Sequence, residues 1–327
     1  MGIKSLGNKK SISYAAVWDE TGTGAWEPAP PGYPDGTGKW YGTRGVWAGG
    51  GTTGGFQLLL DYITIASPSN ASTFGNLTSP ARTQNGAASN GTRGVFSSGW
   101  SGSVNGQIDY ITVATTGNAT NFGNLNEARR GAGAVCDGVR AVWAGGYNGS
   151  GYSNAHDYIT VDTTGNASDF GNGTATDYQT GACSNLTYGL WSGGISLTNS
   201  IKYVTIKTLG NALVWGYNIG SAGQGMAAAS SSADRATFCM GNNDGENIYY
   251  LSITTTGNAS DFGDLTQSRV YGGGFSDGSR GVFGGGENSG TRTNRIDYIT
   301  IANTGNASEF GDLQDNTNEI AGTSGGT

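Results

Sequence analysis

The stretch DYITVATTGNATNFG, residues 109–123, is the clearest of six copies of one motif. The other copies begin at Asp61, Asp157, Lys202, Tyr249 and Asp297. From Tyr62 to Tyr298 the tyrosine of the motif recurs at steps of 48, 48, 45, 47 and 48 residues. Self-similarity at such a period is typical of a repeat architecture. We therefore interpret the chain as an array of structural units.

Two further patterns recur in each unit. An aliphatic residue or Thr, an aromatic and small residues precede the tyrosine motif, with the aromatic at Trp47, Phe96, Trp143, Trp191, Phe238 and Phe283. An aromatic before glycine ends the motif, at Phe74, Phe122, Phe170, Trp215, Phe262 and Phe310. Runs of small residues such as Gly86-Ala87-Ala88 begin most units.

These segments have the pattern of short strands. Asp-Tyr-Ile-Thr-Ile alternates side-chain type and is rich in β-branched and aromatic residues, which suits a half-buried strand. The Thr-Gly-Asn that follows favours a turn, because Gly and Asn tolerate positive φ. Four antiparallel strands in about 47 residues match one propeller blade. The sequence predicts an all-β fold, a six-bladed β-propeller of four-stranded antiparallel blades, over residues 41–327.

The first unit lacks a run of small residues, and the C-terminus supplies one. Counting from Leu313 as one counts from Leu77, Gly322-Thr323-Ser324 falls where Gly86-Ala87-Ala88 does. We expect this C-terminal strand to pair into the first blade, to close the ring and to cover two strand edges.

Residues 1–40 lie outside the repeat and are predicted to be an arm with a semi-rigid spacer rich in Pro and Gly. Two interpretations remain open: the arm docks the propeller onto a neighbouring subunit, or its apolar strand folds back onto its own ring. The predicted docking residues are Lys4, Lys9, Lys10, Tyr14 and Trp18.

The repeat resembles the kelch repeat. The shared features are Arg-x-x-x-Gly-Ala-Ala, a hydrophobic strand ending in Gly-Gly, and a tyrosine strand with a terminal aromatic, although Phe mostly replaces the usual Trp. Three segments of the repeat are similar to kelch-like repeats in virion proteins of tailed bacteriophages. They are Asp-Tyr-Ile-Thr-Ile, Thr-Gly-Asn-Ala and Phe-Gly-x-Leu. The resemblance covers residues 41–327 and implies the fold more specifically than the function.

Composition disfavours several functions. The chain has a formal charge of −7 and only 13% charged residues, so we expect no nucleic-acid binding. It lacks the apolar segment of a signal peptide or a membrane span, which predicts synthesis in a cytoplasm without membrane insertion. Cys136, Cys183 and Cys239 are expected to be small buried residues. His156, the one histidine, is expected to be a solvated or hydrogen-bonded loop residue. We expect no catalytic residues, no metal site and no cofactor.

Several polar residues recur with the repeat. The aspartates at 61, 109, 157 and 297 are expected to cap turns or to bond neighbouring backbone amides. The arginines at 44, 93, 140, 235 and 280 are either solvated turn residues or a ring of charge that meets an acidic partner. The asparagines of the Asn-Ala-Ser and Asn-Ala-Thr sequences are expected to bond local backbone, and not to be glycosylated.

The connections between the Gly-Gly strand and the tyrosine strand vary in length and content. In kelch-like propellers these loops share a face with the connections between blades, and that face commonly binds ligands. Aromatic and amide side chains there suit glycan or protein contacts. The expected binding residues are Trp100, Tyr147, Asn148, Tyr152, Asn243 and Arg292, flanked by Arg82, Arg129 and Arg269.

Two functions follow as expectations. The first is a non-enzymatic structural component of a phage virion, in a tail, fibre or capsid appendage, where the propeller is a rigid module in multiple copies that contacts other virion proteins. The second is a carbohydrate- or host-receptor-binding module that acts through the loop face. Both imply location in the virion after assembly in the host cytoplasm.

Overall fold

The computed structural model describes residues 42–192, 194, 199–217, 228–241 and 244–326, and the backbone of two strands at 14–17 and 25–28. The chain divides into two compact units, Met1–Lys39 and Trp40–Thr327. In the first unit, β1 (Tyr14–Val17) pairs antiparallel with β2 (Ala25–Pro28). The described part of the chain contains no helix able to cross a membrane.

The second unit is a six-bladed β-propeller of four-stranded antiparallel blades, as the sequence predicts. Blade 1 contains β3 (Arg44–Ala48), β6 (Leu59–Thr64), β7 (Ser72–Asn76) and, innermost, β30 (Ala321–Gly325). From the innermost strand outward, blade 2 contains β8 (Gly86–Ser89), β9 (Arg93–Ser97), β10 (Gln107–Thr112) and β11 (Thr120–Asn124), and blade 3 contains β12 (Gly133–Cys136), β13 (Arg140–Ala144), β14 (Ala155–Thr160) and β15 (Ser168–Asn172).

The other three blades follow the same order. Blade 4 contains β16 (Gly181–Ser184), β17 (Tyr188–Ser192), β18 (Ser200–Thr205) and β19 (Leu213–Tyr217), and blade 5 contains β20 (Ala228–Ser231), β21 (Arg235–Gly241), β22 (Asp244–Ser252) and β23 (Ser260–Asp264). Blade 6 contains β24 (Gly273–Ser276), β25 (Arg280–Gly284), β28 (Arg295–Thr300) and β29 (Ser308–Asp312). Two short hairpins, β4 (Gly51–Thr52) with β5 (Gly55–Phe56) and β26 (Glu287–Asn288) with β27 (Thr291–Arg292), extend from loops.

The C-terminal strand closes the ring. β30 pairs antiparallel with β3, and it lies between β24 and β8 in the circle of innermost strands. The prediction of closure is confirmed, but its register was wrong by one residue. Ala321 pairs with Ala48 as Gly86 pairs with Ser97, because Gly86 follows Leu77 by nine residues whereas Ala321 follows Leu313 by eight.

The apolar core lies between neighbouring blades as well as within them. The cluster that contains Val46 and Phe74 of blade 1 also contains Phe96 and Ile111 of blade 2. Each aromatic of a second strand thus packs against a neighbouring blade, and the indole Nε1 of Trp47 donates to the carbonyl of Gly273 in blade 6 at 3.0 Å. Blades of this kind cannot bury their apolar faces alone, which is why the ring forms as one unit.

The asparagine of the tyrosine motif joins each blade to the preceding one. Its side-chain oxygen accepts the backbone N–H of the last residue of the preceding outermost strand at 2.9–3.1 Å. The expectation of local hydrogen bonds was wrong for these oxygens, because the turn lies against the neighbouring blade. The six asparagines are Asn70, Asn118, Asn166, Asn211, Asn258 and Asn306.

The Phe-Gly of the outermost strands, which is Trp-Gly in blade 4, also reflects a close contact between blades. A Cβ built on Gly75 would lie 2.2 Å from the carbonyl oxygen of Gly117 in the next blade. The backbone N–H of Gly117 also donates to the carbonyl of Phe74 at 2.9 Å. Only glycine lets the two backbones approach this closely.

The recurring arginines also act between blades. Each guanidinium stacks over the motif tyrosine of its own blade, 4.4–4.7 Å from the ring centroid. It also donates to a backbone carbonyl of the next blade, as Arg93 does to Val161 at 2.9 Å. In blade 4, Tyr188 takes this position and packs against Tyr203 and Trp215. These side chains are half-buried and bonded across the blade boundary, so the expectation of solvated turn residues was wrong. The expectation of a ring of charge that meets an acidic partner stays a prediction.

The four recurring aspartates are buried, and three of them are paired with a buried arginine. Asp109 accepts the backbone N–H of Thr78 at 3.1 Å, as expected for a residue that bonds a neighbouring amide. It also forms an ion pair with the fully buried Arg82 at 2.7 Å. The same pair joins Arg129 to Asp157 and Arg269 to Asp297 at 3.0 Å. The expectation that these three arginines flank an exposed site was therefore wrong.

Candidate functional site

The connections of the propeller define one face of the ring. Because strand direction alternates within a blade, the loops between second and third strands lie at the same end as the linkers between blades. Single bridges join the two sets, as between Thr83 and Trp100 and between Arg130 and Tyr147. We call this end the loop face.

At the centre of the loop face lies the channel mouth. The residue two positions before an innermost strand has a left-handed backbone in each of the five blades where this position is described, with φ between 54° and 66°. Its N–H donates to the equivalent carbonyl of the preceding blade, for example Gly131 to Gln84 at 2.9 Å and Gln179 to Gly131 at 2.8 Å. A left-handed non-glycine residue costs about 1–3 kcal/mol and is typical of functional sites. The five residues are Gln84, Gly131, Gln179, Tyr271 and Glu319.

Polar side chains converge at the channel mouth. The Glu319 carboxylate accepts hydrogen bonds from Gln84 Nε2 at 2.6 Å and from Thr83 Oγ1 at 2.9 Å. The Tyr178 hydroxyl donates to Gln84 Oε1 at 2.6 Å. Burial raises the pKa of Tyr178 to about 12, so that it is a neutral donor. Gln84 and Glu319 line a cavity of about 70 Å³ that Gln179 and Tyr271 also line.

An aromatic cluster adjoins the channel mouth. The Arg130 guanidinium lies 4.6 Å from the ring centroid of Trp100, 5.1 Å from that of Tyr147 and 5.5 Å from that of Tyr178. Tyr152 stacks on Tyr178 at 5.7 Å and is 46% exposed. Tyr178 is buried and contacts both groups, since its hydroxyl bonds Gln84 and its ring stacks on Tyr152.

The structure brings together three of the six binding residues expected from the sequence, namely Trp100, Tyr147 and Tyr152. Asn148 instead holds its own loop, accepting N–H groups from Ser150 and Gly151 at 2.9 Å.

The other expected residues lie apart. Arg292 Nε donates to Asn318 Oδ1 at 2.9 Å near β26 and β27. Asn243 lies outside the described residues, as do Lys4, Lys9, Lys10 and Trp18 of the arm. Tyr14 begins β1.

Sequence reasoning missed Arg130, Tyr178 and the channel-mouth residues. They belong to linkers with little sequence similarity, where no motif marks them. Only their position in the repeat could have identified the channel-mouth residues, since each lies two positions before an innermost strand.

The histidine and the cysteines, which could take part in catalysis or metal binding, lie outside the channel mouth and the aromatic cluster. His156 is in β14, buried and 5.2 Å from the Trp191 ring, in the position that Ile108 has in blade 2. Burial, with Arg129 and Lys202 nearby, lowers its pKa to about 3, so the expectation of a loop residue was wrong. The three cysteines are free and buried, as predicted, and burial raises the pKa of each thiol. Among the described residues no group of three or more His, Cys, Asp or Glu side chains is arranged to hold a metal.

In comparison with known proteins, no family model matches the chain, and neither does any curated sequence. The site's geometry therefore carries the functional argument. A fixed carboxylate, amides, hydroxyls and partly exposed aromatic rings suit a polar ligand with apolar faces.

Proposed function

We propose that this protein is a non-enzymatic recognition and scaffolding module. The observation that carries this proposal is that the repeated side chains contact neighbouring blades, whereas unrepeated side chains lie on the loop face. The repeated asparagines, arginines and aspartates bond one blade to the next, which makes a rigid ring. The unrepeated polar and aromatic side chains gather on the loop face, where they are available to a partner.

The setting we propose is a virion of a tailed bacteriophage, in a tail, fibre or capsid appendage. The resemblance of the tyrosine motif to kelch-like repeats of phage virion proteins supports this setting. A closed ring with few exposed charges also suits a subunit that packs against other virion proteins.

Particle fractionation tests the structural role. We expect the protein to co-purify with intact virions through a density gradient and to cross-link to a fixed set of virion proteins. If it remains with the soluble lysate while known particle proteins sediment, the structural role is refuted.

A second function, binding of a carbohydrate on the host surface, is favoured by the aromatic cluster. Tyr152 offers an exposed ring beside the amides and the carboxylate of the channel mouth. Aromatic faces stack on the apolar faces of sugars, while amide and carboxylate groups bond hydroxyls.

Glycan-array binding tests this second function. We expect Trp100→Ala and Tyr152→Ala to reduce binding of any recognised glycan, because each removes a ring of the cluster. Thr120→Ala, on the exposed outer strand β11, is the control and should leave binding unchanged. Equal binding by wild type and both aromatic variants would remove the aromatic cluster from the proposal.

A further inference from the structure

Blade 4 differs from the other blades on its outer rim. In β19, Leu213 is 57% exposed, Val214 44% and Tyr217 48%. Leu209, in the preceding turn, is 52% exposed. Four large apolar side chains are thus exposed on one strand and the turn before it, and exposed apolar groups gathered in this way mark interaction sites.

The repeat supplies an internal comparison. Leu213 pairs with Tyr203 and Val214 with Lys202, in the register by which Ser168 pairs with Tyr158 and Asp169 with Asp157 in blade 3. At the three strand positions the other blades carry only Ser, Thr, Asn, Asp or Glu. The fold therefore does not require apolar residues there, and Trp215 alone fills the core position of β19.

Charge favours an acidic partner. Lys207, five residues after Lys202 and two before Leu209, is exposed, and among the described residues no other Lys or Arg falls in the exposed class. Exposed carboxylates are more numerous and include Asp162, Asp169, Asp261 and Glu309. A second copy of this chain carries the same exposed carboxylates, which are complementary to Lys207.

We propose that Lys207, Leu209, Leu213, Val214 and Tyr217, which we call the blade 4 rim, dock against the acidic surface of a second copy of this chain. The contact joins two different patches, so it extends into a ring or a row of copies. Four partly exposed side chains offer much less than the roughly 800 Å² per partner of a standard interface, so the pairwise contact is weak and gains strength in an ordered array. This inference goes beyond the proposed function, because it assigns a contact between copies.

Sedimentation equilibrium of the full chain tests the blade 4 rim. We expect reversible, concentration-dependent association that weakens as NaCl concentration rises, because Lys207 contributes an ion contact. The variant L213S/V214D/Y217N gives β19 the residues that blade 3 carries, and it should raise the dissociation constant about tenfold or more. The control T120A/N121A on β11 should associate like the wild type.

Lys207→Asp provides an independent variant that changes one exposed side chain and leaves the strand intact. It should weaken association at low salt and remove most of the salt dependence. A wild-type chain that stays monomeric at every concentration, or a triple variant that is folded and associates like the wild type, would overturn the inference. Association through this rim by a protein that is absent from virions would refute the proposed function and leave the inference standing.

Discussion

Asn118 shows how a single residue of the repeat acts across a blade boundary. Its side-chain oxygen accepts the N–H of Asn76, and beside it the N–H of Ala119 donates to the carbonyl of the same residue. Equivalent bonds occur at all six boundaries, where the tyrosine motif has its Asn-Ala and the preceding blade has its Phe-Gly or Trp-Gly. Contacts between blades thus explain why the motif contains Asn-Ala and why the preceding strand contains an aromatic residue followed by glycine.

Gly75 offers a direct test of this explanation. A methyl group there would overlap the carbonyl of Gly117, so Gly75→Ala should lower the free energy of unfolding by about 2–4 kcal/mol. Gly117→Ala is the matched control: its Cβ would meet nothing within 4 Å, and its cost should stay below about 1 kcal/mol. Urea denaturation followed by tryptophan fluorescence measures both. Equal stability of the two variants would contradict the close approach.

Asp61 lacks the arginine that its counterparts have. Thr317 stands where the linkers of other blades place Arg129 or Arg269, and Asp61 Oδ1 is buried without a hydrogen-bond partner among the described residues. Burial, together with Asp315, raises the pKa of Asp61 from 3.8 to about 6, although the N–H of Gln314 opposes the shift. The folded chain thus holds this proton more tightly than the unfolded chain.

A stability profile against pH tests this assignment. The contribution of Asp61 to stability falls as pH rises from about 4 to about 6 and stays unfavourable above that range. Asp61→Asn should therefore raise the free energy of unfolding at pH 7 by about 1–2 kcal/mol and have little effect at pH 4. Asp109→Asn should do the opposite at pH 7, because it leaves Arg82 unpaired. Destabilisation by Asp61→Asn at pH 7 would refute the assignment.

At the scale of the strand and its linker, blade 4 reverses the ion pair found in blades 2, 3 and 6. Lys202 of β18 replaces the aspartate, and Asp177 of the linker replaces the arginine, with Nζ and Oδ1 2.5 Å apart. The boundary thus keeps a paired charge although both residues differ from the repeat.

A double-mutant cycle tests whether this pair is a unit. Lys202→Asp and Asp177→Arg should each lower the free energy of unfolding by about 3 kcal/mol, because each places like charges together at a buried position. The double variant restores the orientation found between Arg129 and Asp157 and should recover at least half of the summed loss. Additive losses, measured by thermal or urea denaturation, would show that the two side chains do not interact.

The elements that carry the repeat were predictable from the sequence, and those between them were less so. Alternating apolar residues and turn residues predict the strands, because side-chain period and φ preference act locally. The register of β30 was missed by one residue because the linker after Leu313 is one residue shorter than the linker after Leu77. His156 was misplaced because a polar residue occupies a position that is aliphatic in the other blades.

At the scale of the whole molecule, the same limit applies to the candidate site. Trp100, Tyr147 and Tyr152 were expected on the loop face, since antiparallel strands place their loops at one end. The channel mouth was not expected, because Gln84 and Glu319 meet only when the last blade returns to the first. Contacts that depend on ring closure leave no local trace in sequence.

Removal of residues 321–327 tests how far the ring depends on closure. The deletion takes away β30, exposes the edge of β3 and opens the core between blades 6 and 1. We expect loss of the cooperative thermal transition, or a fall in melting temperature of at least about 10 °C, followed by circular dichroism. If the truncated chain melts at the same temperature and as cooperatively as the full-length chain, the ring does not need its last strand.

Hydrogen exchange of the native chain, read by mass spectrometry, tests ring closure most directly. We expect amides of Ala321–Gly325 to exchange as slowly as those of Arg44–Ala48, since the two strands pair with each other and open together. Exchange of Ala321–Gly325 at the rate of a free peptide, while Arg44–Ala48 stays protected, would contradict a propeller closed by its C-terminal strand.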